Sequence, residues 1–114
     1  MPSKQHEDKI SEIDREIKSR GLDWGTKKNY PIWLPKDNIF WNIDIAGFKK
    51  ANQFSQAEAE GYEVEESNGS SQIQRNFEKL KQFEQSFPKN IRTHTCQLKA
   101  DEDPKIICPK KRRF

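Results

Sequence analysis

A chain of 114 residues, of which 32% are apolar and 34% charged, has material for one small domain with a modest core. Because this apolar supply is thin, we expect dimerisation or a partly disordered terminus to accompany folding. No run approaches the roughly 18 apolar residues that a membrane span needs, and residues 1–9 are too polar for a secretory signal, so we expect a cytoplasmic, intracellular protein with no membrane partner.

The formal charge of +3 is unevenly distributed along the chain. The last ten residues carry five of the 21 basic side chains and no acid, which leaves 16 basic and 18 acidic groups in residues 1–103, net −2. We expect one domain over residues 1–100 and a flexible basic tail over residues 101–114. The charged side chains between Lys50 and Arg75 are all acids, namely Glu58, Glu60, Glu63, Glu65 and Glu66. A surface this negative would repel phosphates unless a divalent cation bound there.

The chain opens with a pattern that predicts an amphipathic helix over residues 6–20. Its apolar residues recur at spacings of three and four, as Ile10, Ile13 and Ile17. Gly21 stands where a helix stop is expected. Acids flank the apolar stripe, among them Glu7, Asp14 and Glu16.

The next stretch predicts a hairpin. Residues 22–28 are expected to form a loop from which Trp24 packs over the core. Residues 29–34 and 39–48 are rich in aromatic and β-branched side chains, which favour strands. The Pro-Lys-Asp-Asn run at 35–38 is typical of a turn.

Asp44 lies in the middle of the otherwise apolar second strand. Strict alternation predicts that Ile43 and Ile45 share one face, and that Asn42, Asp44 and Ala46 share the other. A carboxylate in an apolar layer needs a partner, whereas one on a solvated face of an antiparallel sheet needs none. The sequence leaves both interpretations of Asp44 open.

The second half of the chain alternates strand, helix and strand. Residues 49–60 are expected to be a connector, residues 61–66 a third strand and residues 67–70 a turn. Residues 71–86 have helical apolar spacing, and residues 90–98 alternate as a fourth strand. These elements predict a small α/β domain with a mixed sheet flanked by helices.

The third strand brings two acids to one face. Glu63 and Glu65 are two residues apart and therefore share a face, while Val64 points into the opposite layer. If Asp44 lies on the neighbouring strand, three carboxyl groups converge at one place. Hard oxygen ligands of this kind suit Mg²⁺ or Mn²⁺.

Cys96 and Cys108 are the two cysteines of the chain. With His94 they would supply three zinc ligands at a spacing that matches no familiar finger or ribbon, so zinc is disfavoured. A disulfide stays open, although reduced thiols are the default in an intracellular chain.

The predicted order, helix, three strands, helix and strand, resembles the PD-(D/E)xK nuclease superfamily, which includes restriction endonucleases and archaeal Holliday-junction resolvases. Asp44 matches the acid of the second core strand, although Ile43 replaces the usual preceding proline. Glu63-Val64-Glu65 matches the (D/E)-x-K signature, with glutamate in the position of the lysine. The residues that follow look like the serine and helix of the resolvases: Ser67, Gln72, Gln74, Lys79 and Leu80.

The resemblance implies a restriction-endonuclease-like αβββαβ core and a metal-dependent endonuclease, with DNA favoured over RNA as substrate. Because one domain of this size cuts one strand, we expect a homodimer. It implies that Asp44, Glu63 and the Val64 carbonyl hold Mg²⁺ or Mn²⁺. Glu65 would act as a general base or as an additional metal ligand. The helix-borne acid of the family has three candidates: Glu7, Asp14 and Glu16.

Basic side chains near these acids are candidates for contacts with the sugar-phosphate backbone, namely Lys49, Lys50, Arg75 and Lys79. The basic run at residues 110–113 would add non-specific affinity for nucleic acid, or serve in targeting or solubility. A different class of function also fits the sequence: a non-catalytic small α/β binding or interaction protein whose glutamates form a solvated acidic face.

Overall fold

The structure, a computed structural model, describes residues 4–65 and 73–103. Its elements in chain order are α1 (Lys4–Lys18), β1 (Trp24–Leu34), β2 (Ile39–Lys49), β3 (Glu58–Glu65), α2 (Ile73–Gln85) and β4 (Arg92–Lys99). The four strands form one sheet in the order β1-β2-β3-β4. The first three strands are antiparallel, and β3 pairs with β4 in parallel. The predicted small α/β fold with a mixed sheet and two helices is confirmed.

Two strands begin earlier than the sequence pattern predicts. β1 starts at Trp24, which pairs with Lys49, so most of the expected loop over residues 22–28 is strand. β3 starts at Glu58, which pairs with Lys49 on one side and Arg92 on the other, so the last part of the expected connector over residues 49–60 is also strand. Pairing with neighbouring strands decides these starts, and local residue preferences do not.

The two helices pack on opposite faces of the sheet. The core on the α1 side contains the predicted helical stripe and residues of three strands: Ile10, Ile13, Ile17, Ile45, Tyr62, Val64, Leu98 and Ala100. The core on the α2 side contains Ile32, Leu34, Ile43, Ala46, Ala59, Leu80 and Phe83. Trp24 packs against the α1-side core, as predicted.

β3 is the most enclosed strand, because it has neighbours on both edges and a helix over each face. All eight of its residues are buried, including four glutamates. Glycines allow the helices to approach closely: a Cβ at Gly47 would lie 2.9 Å from Ile17, and one at Gly61 would lie 3.0 Å from Phe83. Any larger residue at these two positions would push a core side chain away.

The alternation of faces shifts by one residue at Asp44. Ile43 belongs to the α2-side core together with Ala46, whereas Ile45 belongs to the α1-side core. The prediction that Ile43 and Ile45 share a face is therefore wrong. Asn29, which lies opposite Asp44 in the hairpin, has a φ of 54°, a left-handed conformation that asparagine tolerates better than most residues. This local departure from strand geometry changes the faces of both strands together.

Some sequence-based predictions fall on residues outside the described ranges. These are the turn at 67–70, the start of the second helix at 71–72, and the basic tail from residue 104 onward. Cys108 lies there too, but Cys96 is within the described part and is disulfide-bonded, so the default of a reduced thiol is wrong for Cys96. Within residues 4–65 and 73–103, no helix has the length and apolar character of a membrane span.

Candidate functional site

Two carboxylates meet where β2 and β3 separate. The β2–β3 backbone pairing runs from Lys49↔Glu58 to Ile45↔Tyr62 and ends there. At the next position, side-chain carboxylates accept the hydrogen bonds that backbone carbonyls would otherwise accept. The Asp44 N–H donates to Glu63 Oε2 at 2.8 Å, and the Val64 N–H donates to Asp44 Oδ2 at 2.7 Å. These bonds satisfy buried backbone donors that have lost their partner strand, and they hold both carboxyl groups in the gap.

Lys79 of α2 supplies a positive charge to this pair. Its Nζ lies 2.8 Å from Glu63 Oε1 and donates to the Asn42 carbonyl at 2.9 Å. Both Lys79 and Glu63 are buried, with 7% and 2% of their surface exposed. The ion pair therefore lies inside the fold, and Lys79 joins the site itself.

The electrostatic surroundings of Glu63 favour its protonated form. Burial, and next the nearby Asp44 carboxylate, raise the pKa of Glu63 to about 7, although the Lys79 ammonium and the Asp44 N–H act in the opposite direction. A carboxyl that gains and loses its proton near neutral pH is common in catalytic and ligand-binding sites. Asp44 is more open to solvent, with 20% of its side chain exposed.

His6 of α1 also reaches the carboxylate pair. Its Nε2 lies 3.3 Å from Asp44 Oδ2, and its side chain is largely covered. His6 is not among the site residues predicted from the sequence. Helical spacing could have pointed to His6, because it precedes Ile10 by four residues and so lies on the same stripe of α1.

The three acids considered for the helix-borne position make other contacts. Glu7 Oε2 lies 3.8 Å from Nδ1 of His6. Asp14 accepts a hydrogen bond from Thr26, and Glu16 pairs with Arg20 at 3.1 Å. The α1 side chain that the structure brings to Asp44 is therefore a histidine.

Glu65 lies two residues farther along β3 and has different neighbours. It is buried, and its Oε1 has no hydrogen-bond partner in the described part of the chain. Burial raises the pKa of Glu65, while Lys99 lowers it and Glu102 raises it. The structure thus joins Asp44 to Glu63 directly and surrounds Glu65 with β4 and the residues after it. Over the described ranges, no group of three or more His, Cys, Asp or Glu side chains is arranged to hold a metal ion.

The other basic residues predicted to contact phosphates lie in two parts of the structure. The Arg75 guanidinium lies 4.2 Å from the centre of the Trp41 ring, close to Lys79, and is only partly exposed. Lys49 and Lys50 lie at the far end of β2, where Lys49 bonds to the Ser55 hydroxyl. Arg75 is thus near the carboxylate pair, while Lys49 and Lys50 are several residues away along the strand.

The four glutamates of the acidic run that the structure describes do not form a negative surface. Glu58, Glu60, Glu63 and Glu65 are all buried on β3. Glu60 is bonded to Arg20 Nη1 at 2.8 Å and accepts from the Tyr62 hydroxyl at 2.6 Å. The expected phosphate-repelling surface is therefore wrong for these four residues.

No protein-family model, no curated protein and no solved structure matches this chain. Its function must therefore be argued from the geometry of the carboxylate pair and the side chains that surround it.

Proposed function

We propose that this protein is a metal-dependent nuclease of the PD-(D/E)xK type, which hydrolyses phosphodiester bonds in nucleic acid, with DNA favoured over RNA. The observation that carries the proposal is the contact between Asp44 and Glu63, which come from different strands and meet at the point where those strands separate. The element order and the mixed sheet support a restriction-endonuclease-like αβββαβ core.

The donor atoms at this point suit a hard divalent cation. Asp44 and Glu63 offer carboxylate oxygens, and the Val64 carbonyl lies beside them in the sequence. The buried Glu63 carboxylate lies near the partly exposed Asp44 carboxylate, and the repulsion between them contributes to the raised pKa of Glu63. Mg²⁺ or Mn²⁺ held by these oxygens would remove the repulsion. When bound, the cation would lower the pKa of a water molecule and neutralise charge on the phosphate.

Lys79 supplies the basic group that the third position of the Glu63-Val64-Glu65 motif lacks. Its ammonium already contacts Glu63, so it can orient a water molecule or stabilise charge that develops on the phosphate. Glu65 keeps the proposed role of general base or additional metal ligand. His6 holds the Asp44 carboxylate from the opposite side.

We further propose that the active form is a homodimer, because one domain of this size holds one site and would cut one strand. The alternative function, a non-catalytic binding protein with a solvated acidic face, has less support, because the described glutamates of the run are buried.

The test uses isosteric variants, since alanine would leave the buried partners of these acids unsatisfied. Asp44→Asn and Glu63→Gln should each lose cleavage of plasmid and branched DNA in Mg²⁺ and in Mn²⁺. Asp23→Asn, an exposed aspartate in the loop before β1, is the matched control and should cleave like the wild type. Thermal melts of all four proteins should establish that they are folded. A folded wild type that cleaves neither DNA nor RNA with either ion contradicts the proposal.

A further inference from the structure

The β1–β2 hairpin extends past the rest of the sheet. Backbone pairing between β2 and β3 ends at Ile45, while β1 and β2 continue to pair as far as Leu34↔Ile39. We call the projecting part, residues 30–43, the hairpin arm. One face of the arm packs against α2 through the buried side chains of Ile32, Leu34 and Ile43.

The other face of the hairpin arm exposes a pair of aromatic rings. Trp33 and Phe40 are cross-strand partners, their ring centroids are 4.9 Å apart, and their planes are tilted by 56°. Phe40 is 70% exposed and Trp33 is 38% exposed. Phe40 buries little of its surface in the fold and Trp33 stays partly exposed, so the pair presents an aromatic surface to solvent outside the core.

This aromatic face leads directly to the candidate site. Phe40 is four residues from Asp44, a separation of about 13 Å along an extended strand. The intervening cross-strand pair, Pro31 and Asn42, is exposed. Because neighbouring strand residues alternate, Trp33 and Phe40 lie on the face opposite α2, which is also the side from which His6 of α1 contacts Asp44.

The base of the hairpin arm carries positive charge, which favours an anionic occupant. Residues 24–29, which lead into the arm, contain two lysines and no acid, a net charge of +2, although residues 1–103 carry a net charge of −2. Within the arm, Lys36 and Asp37 balance each other. Lys27, Lys28 and Lys36 are all exposed. Lys28 interacts electrostatically with Asp14 of α1, which puts it on the same face of the hairpin as the aromatic pair.

We propose that the Trp33–Phe40 pair is a stacking platform for unpaired bases of single-stranded nucleic acid. Aromatic side chains stack on any base, and the exposed Lys28 at the base of the arm, on the same face, would attract the phosphate backbone without reading sequence. A strand stacked on this pair would run along the exposed face of the arm toward Asp44 and Glu63. The idea that the stacked strand is also the substrate rests on the proposed nuclease function. It identifies the substrate class as single strands, or duplexes with unpaired bases next to the cut.

Binding is measured by fluorescence anisotropy of labelled single-stranded DNA in EDTA, so that no cleavage takes place. The double variant Trp33→Ala/Phe40→Ala should bind at least about tenfold more weakly than the wild type, the loss expected for one stacked base. Phe54→Ala is the matched control, because Phe54 is 87% exposed but lies in the loop between β2 and β3. It should bind within about twofold of the wild type, and Trp33→Phe should restore most of the affinity lost in Trp33→Ala.

The remaining outcomes test the stacking platform and the nuclease function separately. Equal binding by the double variant and by Phe54→Ala would overturn the platform, as would a wild type that binds no single-stranded DNA. Sedimentation equilibrium detects a second copy as the occupant: a dimer that dissociates in the double variant with unchanged DNA affinity would also overturn it. If the wild type binds through the aromatic pair but never cleaves, the nuclease function fails and the platform stands.

Discussion

Two buried glutamates on β3, Glu60 and Glu63, lie three residues apart on opposite faces of the sheet, and their neighbours differ in charge. Glu60 faces the α1 side, where Arg20 and the Tyr62 hydroxyl both bond to it. Glu63 faces the α2 side, where one lysine and a second carboxylate, Asp44, share the space. On the α1 side, Glu60 and Glu16 bind different nitrogens of the same guanidinium, that of Arg20. On the α2 side, the Asp44 carboxylate lies close enough to Glu63 to raise its pKa, although Lys79 pairs with Glu63.

The raised pKa belongs to a neighbour of one glutamate, the Tyr62 phenol beside Glu60, and to the other glutamate itself, Glu63. Burial and the adjacent Glu60 carboxylate raise the pKa of Tyr62, so its phenol stays protonated and continues to donate. For Glu63, burial and the adjacent Asp44 raise the pKa of the carboxyl itself. A buried ion pair with matched charges maintains a fold, because removing one partner leaves the other unpaired. A buried pair of like charges stores repulsion that a bound cation relieves, which is typical of a functional site.

The same substitution at Glu60 and at Glu63 tests whether the two glutamates have different roles. Glu63→Gln should lower the cleavage rate at least about 100-fold, because the site loses a metal-ligating carboxylate. Glu60→Gln should instead remove the buried charge partner of Arg20, which keeps only the partly exposed Glu16, and lower the free energy of unfolding by up to about 3 kcal/mol. Urea denaturation and single-turnover cleavage, both at a temperature where each variant is folded, separate the two effects. Similar losses of activity in both variants would remove the distinction between a structural and a functional glutamate.

A second substitution tests the role of Lys79. Lys79→Met keeps the length of the side chain but removes the charge beside Glu63, so cleavage should fall about tenfold or more, with a pH optimum shifted upward. Lys81→Met, an exposed position on the same helix, is the control and should change neither quantity. An Lys79→Met protein that is folded and fully active would show that this ammonium only stabilises the fold.

A third prediction concerns the pH dependence of stability. In the unfolded chain Glu63 titrates near its ordinary pKa of 4.5, whereas in the folded protein its pKa is raised to about 7. The folded state therefore binds more protons between these values, and the contribution of Glu63 to the free energy of unfolding falls as the pH rises from about 4.5 to about 7. Urea denaturation across this range should show the decline in the wild type, and Glu63→Gln should flatten it. An unchanged slope in Glu63→Gln would assign the decline to other groups.

The order of the six elements and the meeting of Asp44 with Glu63 could be predicted from the sequence. The apolar stripe of α1 and the turn at 35–38 are strong local signals, and adjacent strands bring their acids together. The early starts of β1 and β3 could not be predicted, because pairing between strands sets them. The face shift at Asp44 depends on the left-handed backbone of Asn29, which leaves no periodic pattern.

The helix side chains at the site were harder to predict than the strand acids. Lys79 has the spacing of an ordinary surface lysine, and its burial against Glu63 depends on how α2 docks on the sheet. His6 reaches Asp44 only because α1 crosses the opposite face. Helix docking is a tertiary property, so sequence periodicity could indicate that these residues face the sheet but not which acid they would meet.

Whether Asp44 and Glu63 together hold a divalent cation can be measured without a nucleic-acid substrate. Electron paramagnetic resonance of Mn²⁺ titrated into the protein measures the free and bound ion directly. The wild type and Glu60→Gln should bind Mn²⁺, and Asp44→Asn and Glu63→Gln should lose this binding. Mn²⁺ binding that is absent in the folded wild type, or unchanged in both site variants, would rule out a cation site shared by Asp44 and Glu63.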